Sequence, residues 1–501
     1  MSPDNLEMQF EAELCPLGHG LSDLPNPVLK HGDLESNVCS LRIESLAPHK
    51  RLPPELLAEI FILCSPTTVV ALPPKSDHPL LTLTRVCRAW RELALHIPEL
   101  WASISVTFTE ERKKVEQMTD LAFQWLSRAG NEYPLSITSV CAGTYAATTC
   151  GNPALVESFV SMVISHAHHL RHFDLGFPMA ALLPLFELPL GTFPRLETMG
   201  LRPPLRSKDL DTTQTARWHW PSTSTTAFAS APLVREVKFC PQIISELENN
   251  IMDDILARAT RPFFVPTFLL PWSQLRVLSF QLPALADVWC TILAECAELR
   301  EFDAAVWPSL GYQRDLNSAP QICLHHLAVL QLGAHSGGCE ELIDRLVAPS
   351  LSRLSIIQGR SFPAASLAAF QARSAFSLKF FIPSAPRPED DVTVLFQQFS
   401  EIAVLAISSA TTEQFPISFW ERLGRGDLLP QLETLVVRPT AAQASVLVDM
   451  IASRWEAATE GRIPILDVIF CGVGPVDLAV INEELKRLEK YEAAGHMVSV
   501  F

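Results

Sequence analysis

Positive charge is what this sequence lacks most. Its 39 Lys and Arg stand against 55 Asp and Glu, a net charge of −16. Neutralising phosphates takes a basic field, so nucleic acid is not an expected partner, and an anionic membrane surface is disfavoured. Long uninterrupted apolar runs are missing too. The longest, Phe177 to Phe193, contains Glu187 and three prolines, Pro178, Pro184 and Pro189, so it cannot form a continuous spanning helix. The twelve cysteines include no CxxC pair, which removes the commonest zinc and redox signatures. The opening MSPDNLEMQFEAELC has neither a basic n-region nor an apolar h-region, so no secretory signal is expected there. Reduced, mostly buried thiols in the cytoplasm or nucleus are the corresponding expectation. No GxxxxGK[ST], GxSxG, HExxH or GxGxxG stands in the chain, and no Cys has a recognisable His-partnered context. Catalysis, a cofactor or a metal is therefore not expected.

What is present is apolar bulk. Hydrophobic residues make up 48% of the 501, enough for a large core and for two or more structural units. The first concentration is RLPPELLAEIF, from Arg51 to Phe61. Pro54 suits the first helical position and Glu55 the first turn. Leu56, Ile60 and Leu63 then form one stripe, with Leu57, Phe61 and Cys64 on its neighbour, an apolar face wider than one flanking helix covers. Ser65 to Asp77 holds three prolines and reads as a loop. A second helix is expected from Pro79 to Leu95, with Leu83, Val86, Cys87, Trp90, Leu93 and Ala94 inward and Arg85, Arg88 and Arg91 on another side. Such a unit is too small to bury all its apolar side chains by itself.

LPPELLAEIF followed by LTRVCRAWRELALHIPELW resembles the F-box, particularly the form of fungal F-box-like proteins. The resemblance covers about fifty residues and implies a surface for the Skp-family adaptor of a cullin–RING ubiquitin ligase. It implies that Leu52, Pro53, Leu56, Leu57, Ile60 and Phe61 face the adaptor, while Val86, Cys87, Trp90 and Leu93 hold the hairpin and extend the contact. The insert between the helices departs from the pattern and leaves the register of the second helix open.

Beyond it, ASISVTF reads as a strand, Glu110 to Arg128 as an amphipathic helix stopped at Gly130-Asn131, and Pro134 to Val140 as another strand. From 170 to 470 an apolar-x-x-apolar-x-apolar motif recurs, its clearest copies including Leu170-Phe173-Leu175, Leu275-Leu278-Phe280, Leu327-Leu330-Leu332 and Leu351-Leu354-Ile356, with a weaker one near Leu378. Most starts lie 24 to 30 residues apart, which fits leucine-rich repeats without their usual Asn. The expected fold class is thus α/β: an F-box-like helical hairpin followed by an irregular leucine-rich-repeat-like solenoid. The rival is an α/β sandwich with a mixed sheet. The expected divisions are a leader at 1–50, the F-box-like segment at 51–101, a connection at 102–150, repeats at 151–475, and a helix and tail at 476–501.

Three side-chain groups invite other readings. Cys15 with His19, and His166 with His168 and His169, suggest metal, but neither has the partners a zinc site needs. Trp218-His219-Trp220 lies in a Ser/Thr/Pro-rich interruption and could grip a target, or simply tuck against the rim. Two functions remain. One is the substrate receptor of a cullin–RING ligase, with the Skp-family adaptor and cullin scaffold as partners and an unidentified protein as target. The other is a non-catalytic repeat scaffold that does not engage a ligase.

Overall fold

The recurring apolar motif becomes a ladder of parallel strands. The computed structural model describes residues 52–500 except 66–68, 109–111, 142–152, 207–225, 245–268, 310–319, 335–337, 358–362, 385, 387–391, 408–413, 459–466, 471–474 and 493–496. Cys15, His19 and Trp218-His219-Trp220 lie outside the described residues. The chain divides into two units, Met1–Val106 with Gln117–Ser136, and Thr107–Glu116 with Ile137–Phe501. No helix among the described residues is long and apolar enough to cross a membrane.

The first unit holds α1 (Pro54–Cys64), β1 (Val70–Leu72), α2 (Pro79–Val86), α3 (Arg88–Leu95) and most of β2 (Ser103–Phe108). Two expectations are corrected here. The segment Pro79 to Leu95 is two helices, because Cys87 between them is extended (φ −160°, ψ 170°). Arg91 secures the break, its Nε donating to the orphan carbonyl of Thr84 at 3.0 Å. The loop from Ser65 to Asp77 contains β1, which gains its bonds by pairing in parallel with β2, Val70 opposite Ile104 and Leu72 opposite Val106. Helix α4 (Arg112–Ser127) follows and ends as the sequence suggested, at Gly130, whose φ of +75° suits glycine. Strand β3 (Leu135–Cys141) then leads the chain into the second unit.

The second unit is built on successive strands, most of them separated by a helix among the described residues: β4 (Leu170–Gly176), β5 (Thr198–Leu201), β6 (Glu236–Phe239), β7 (Val277–Leu285), β8 (Glu301–Trp307), β9 (Val329–Ala334), β10 (Arg353–Ile357), β11 (Phe380–Ile382), β12 (Val404–Ile407), β13 (Thr434–Val437), β14 (Asp467–Phe470) and β15 (Met497–Val500). Each pairs in parallel with the next, and one column runs through all of them. Phe173 stands opposite Met199, then come Val237, Leu278, Phe302, Leu330, Leu354, Phe381, Leu405, Leu435, Val468 and Val498. Up to Val468 these are the central residues of the sequence motif, and all are buried. The mixed sheet of the rival reading is absent from these pairings. The last strand lies in the segment set apart from the sequence as helix and tail.

Helices return the chain along the apolar side. Examples are α5 (Glu157–Ser165), α6 (Met179–Phe186), α7 (Ala286–Glu295), α8 (Gly338–Arg345), α9 (Ala364–Ser374), α10 (Val392–Gln398), α11 (Ile417–Gly424), α12 (Ala444–Ala458) and α13 (Pro475–Leu485). Trp289 of α7 packs edge-on to Phe280 and Phe302 of two successive strands, 5.5 and 5.3 Å between centroids. Its indole Nε1–H donates to the Ala305 carbonyl at 3.1 Å. Close packing also selects glycine: a Cβ on Gly338 would lie 2.8 Å from the Val306 carbonyl oxygen. The fully buried Arg454 of α12 donates to the carbonyls of Leu423, Leu428 and Leu429 at 3.2, 3.4 and 2.8 Å. It thereby satisfies the C-terminal end of α11.

Candidate docking surface on the N-terminal helices

Helix α1 starts where its prolines dictate. Pro54 loses no helical bond at the first position, and Glu55 stands in the first turn beside the positive end of the helix dipole. Its apolar residues then separate into two fates. Phe61 is fully buried and packs on Trp90, centroids 4.9 Å apart and planes tilted 58°. Leu56 is 52% exposed, Ile60 39% and Leu63 81%. Leu52, Pro53 and Pro54 are exposed as well, and Leu57 is half-buried. An apolar ridge therefore faces water along one side of α1.

Of the residues the sequence placed at the adaptor, Leu52, Pro53, Leu56 and Ile60 lie on the surface and Leu57 at its margin. Phe61 does not. It lies beneath the ridge, because the Trp90 ring occupies the neighbouring stripe. Val86 is exposed where α2 ends, and Cys87, Trp90 and Leu93 are half-buried.

The support beneath this surface is polar at its ends and apolar at its centre. His78 caps α2, its Nδ1 accepting from the Leu80 N–H at 3.3 Å. Partial burial lowers the His78 pKa, with Asp77 opposing, a direction that favours the accepting role of the cap. Trp101, buried, donates from Nε1 to the Ala94 carbonyl at 2.8 Å and so ties the end of α3 to the following turn. It packs on Trp125 at 4.7 Å, with the Arg128 guanidinium 4.6 Å from its ring centre. Burial lowers the Arg128 pKa. The sequence grouped Arg85, Arg88 and Arg91, yet they do separate things. Arg85 donates to the Ser76 carbonyl at 3.2 Å, Arg91 closes the helix break, and Arg88 pairs with Glu92 in open solvent, where the bond contributes little. The sequence singles out Arg91 and the Trp101 that ends the unit, but not their roles as supports. Their partners are backbone carbonyls, which no spacing rule exposes.

The other chemistry-bearing groups do not converge. His168 Nδ1 lies 2.9 Å from the Thr192 carbonyl, and His166 Nδ1 2.9 Å from the Met162 carbonyl, so both are engaged by backbone. Among the described residues no group of three or more His, Cys, Asp or Glu is placed to hold a metal. Burial pushes the Cys290 thiol up to about 11 and Cys296 to about 12, with Cys339 raised further. These are thiols shielded from reaction rather than activated for it.

Residues 49–107 match the F-box-like family. The match contains α1, α2, α3, the exposed ridge and the two buried supports, Phe61 and Trp101. No curated protein matches the chain. Among solved structures, a yeast complex of Rad7 and Elc1 aligns over 82% of this chain and 94% of that one, at 10% identity and a TM-score of 0.28. A score of that size does not establish a shared fold.

Proposed function

We propose that this protein is the substrate receptor of a cullin–RING ubiquitin ligase, docking a Skp-family adaptor through Leu52, Pro53, Leu56, Leu57 and Ile60. The observation that carries this reading is the apolar ridge of α1, exposed inside a segment that matches the F-box-like family. A side chain such as Leu56 or Ile60 forgoes about 1.5–3 kcal/mol while it stays wet, so covering the ridge is a ready source of binding energy. Val86, Cys87, Trp90 and Leu93 extend or brace that contact, and Phe61 acts from below by fixing the ridge on Trp90. On this reading residues 51–101 are the docking segment, 102–150 the connection, and 151–475 a leucine-rich-type receptor for a protein target. Catalysis is proximity, supplied by the partners that carry ubiquitin.

The test is co-purification of the adaptor and cullin with the full chain, beside the double variant Leu56→Ala/Ile60→Ala. Central interface anchors contribute about 2–4 kcal/mol each, so the variant is expected to bind at least several-hundred-fold more weakly, at about 1.4 kcal/mol per decade. Its thermal melt should be unchanged. A wild-type chain that captures no adaptor, or a double variant that binds equally well, overturns the reading and leaves a repeat scaffold.

A further inference from the structure

A second surface lies on the repeat unit, at the residue that leads into each strand. Three successive strands, β6, β7 and β8, place arginine there: Arg235, Arg276 and Arg300. The Arg276 N–H donates to the Arg235 carbonyl at 2.7 Å and the Arg300 N–H to the Arg276 carbonyl at 2.8 Å, so the backbone holds all three in one row. Neighbouring parallel strands lie about 4.8 Å apart, and like charges directly across a ladder oppose one another. The position before Arg235 in the row is Glu197, whose carbonyl accepts from the Arg235 N–H at 2.9 Å, and no acid stands between Arg235, Arg276 and Arg300. Arg235 donates to the Gln274 carbonyl at 3.5 Å, while Arg276 and Arg300 are exposed and have no side-chain hydrogen bond or ion pair among the described residues.

Four acids on or beside these strands have partners of their own. Glu197 pairs with Arg171 at 2.9 Å, Glu236 with Lys238 at 2.5 Å, and Asp174 with Arg202. Asp303 accepts from Ser279 Oγ at 2.7 Å and Gln281 Nε2 at 3.1 Å. Glu298 and Glu301 flank Arg300 in sequence without pairing to it. A chain of net charge −16 thus keeps two neighbouring guanidinium groups of the row, those of Arg276 and Arg300, uncommitted. Guanidinium forks bind carboxylates in two-pronged fashion, and several side by side select a run of them.

We infer that this row docks a carboxylate-rich segment of a partner protein, an Asp/Glu-rich stretch laid across the leading ends of β6, β7 and β8. The inference concerns the second unit alone and does not depend on the adaptor reading. The overall negative charge does not forbid it. At physiological salt the Debye length is about 8 Å, so the distant charges are screened while direct guanidinium–carboxylate contacts are not.

The test is fluorescence anisotropy with the full chain at physiological salt, using a labelled oligoglutamate peptide, its oligoglutamine counterpart and a single-stranded oligonucleotide. The glutamate peptide should bind and the glutamine peptide should not. Arg276→Glu/Arg300→Glu should weaken binding about a hundredfold, at about tenfold per lost charge-assisted contact. Arg88→Glu, on the exposed face of α3, should leave it unchanged, and Arg276→Lys/Arg300→Lys should retain part of it, showing that charge and not folding is at issue. The double glutamate variant should still capture as much adaptor as the wild type. A wild-type chain that ignores the glutamate peptide, a double variant that binds it normally, or an oligonucleotide bound equally tightly overturns the inference.

Discussion

Leu330 and Leu63 are the same side chain in opposite situations. Leu330, in β9, is fully buried between Phe302 and Leu354 of the strands on either side, whereas Leu63, in α1, is 81% exposed. The repeat unit buries its apolar column by translation. Each strand is covered by the next, and helices such as α7 close the same side, so burial needs no second molecule. The N-terminal unit has no such device. Its first three helices are 11, 8 and 8 residues long, and their packing takes in Phe61 while leaving Leu56, Ile60 and Leu63 outside. Identical chemistry therefore supports the fold in one region and offers a surface in the other.

The largest effect expected from this contrast is in the column. Phe302→Ala removes a buried ring that packs on Trp289 and lies between Leu278 and Leu330. It should destabilise the repeat unit by about 3–5 kcal/mol. The denaturant midpoint, followed by hydrogen exchange at β7, β8 and β9, measures it. An unchanged midpoint would mean that the column is not what holds the strands together.

A smaller effect is expected where the two situations meet in one helix. Phe61→Leu keeps an apolar side chain of similar reach under the ridge but loses the ring contact with Trp90. Aromatic pairs contribute about 0.5–1.5 kcal/mol beyond their buried area, and the N-terminal unit should lose about that much. The melt of this unit, read from tryptophan fluorescence, is the measurement. A loss of adaptor binding with no change in the melt would instead place Phe61 at the interface, where the sequence had put it.

How far these features could be read in advance depends on whether they are local. The motif Leu327-Leu330-Leu332 announces its own strand, because the turn and the inward alternation lie within six residues. The copy near Leu378 was faint since Pro383 fills the third apolar place, yet Phe381 still takes its rung. The split at Cys87 was not legible. VCRAW suits a continuous helix, and the break is held by Arg91 reaching back to Thr84. Strand β1 was hidden for the same reason, as its bonds come from β2 and not from its own proline-rich surroundings. Nor could the sequence separate the two stripes of α1. Leu56-Ile60-Leu63 and Leu57-Phe61-Cys64 are both apolar, and it is the packing on Trp90 that takes Phe61 inward while Leu57 stays half-buried and Cys64 exposed. The arginine row was equally out of reach, because its members are far apart in sequence and meet only through strand pairing.

The smallest expected effect is the sharpest test of the contrast. Leu63 continues the stripe of Leu56 and Ile60 and is the most exposed of the three. If exposure means that nothing within the chain uses it, Leu63→Ser should change stability by no more than about 0.5 kcal/mol, as for surface positions generally. The same change replaces an apolar group at the end of the ridge by a hydroxyl. Should the adaptor reach that far, binding weakens by the transfer free energy of the lost side chain, about 1.5–3 kcal/mol at most. Should it stop at Ile60, binding is unaffected while Leu56→Ala/Ile60→Ala still abolishes it. Both outcomes keep the contrast and set the length of the surface. A Leu63→Ser protein that melts several degrees lower would break it, since Leu63 would then be part of a core like Leu330. The pair of measurements is a thermal melt and an adaptor titration on one preparation.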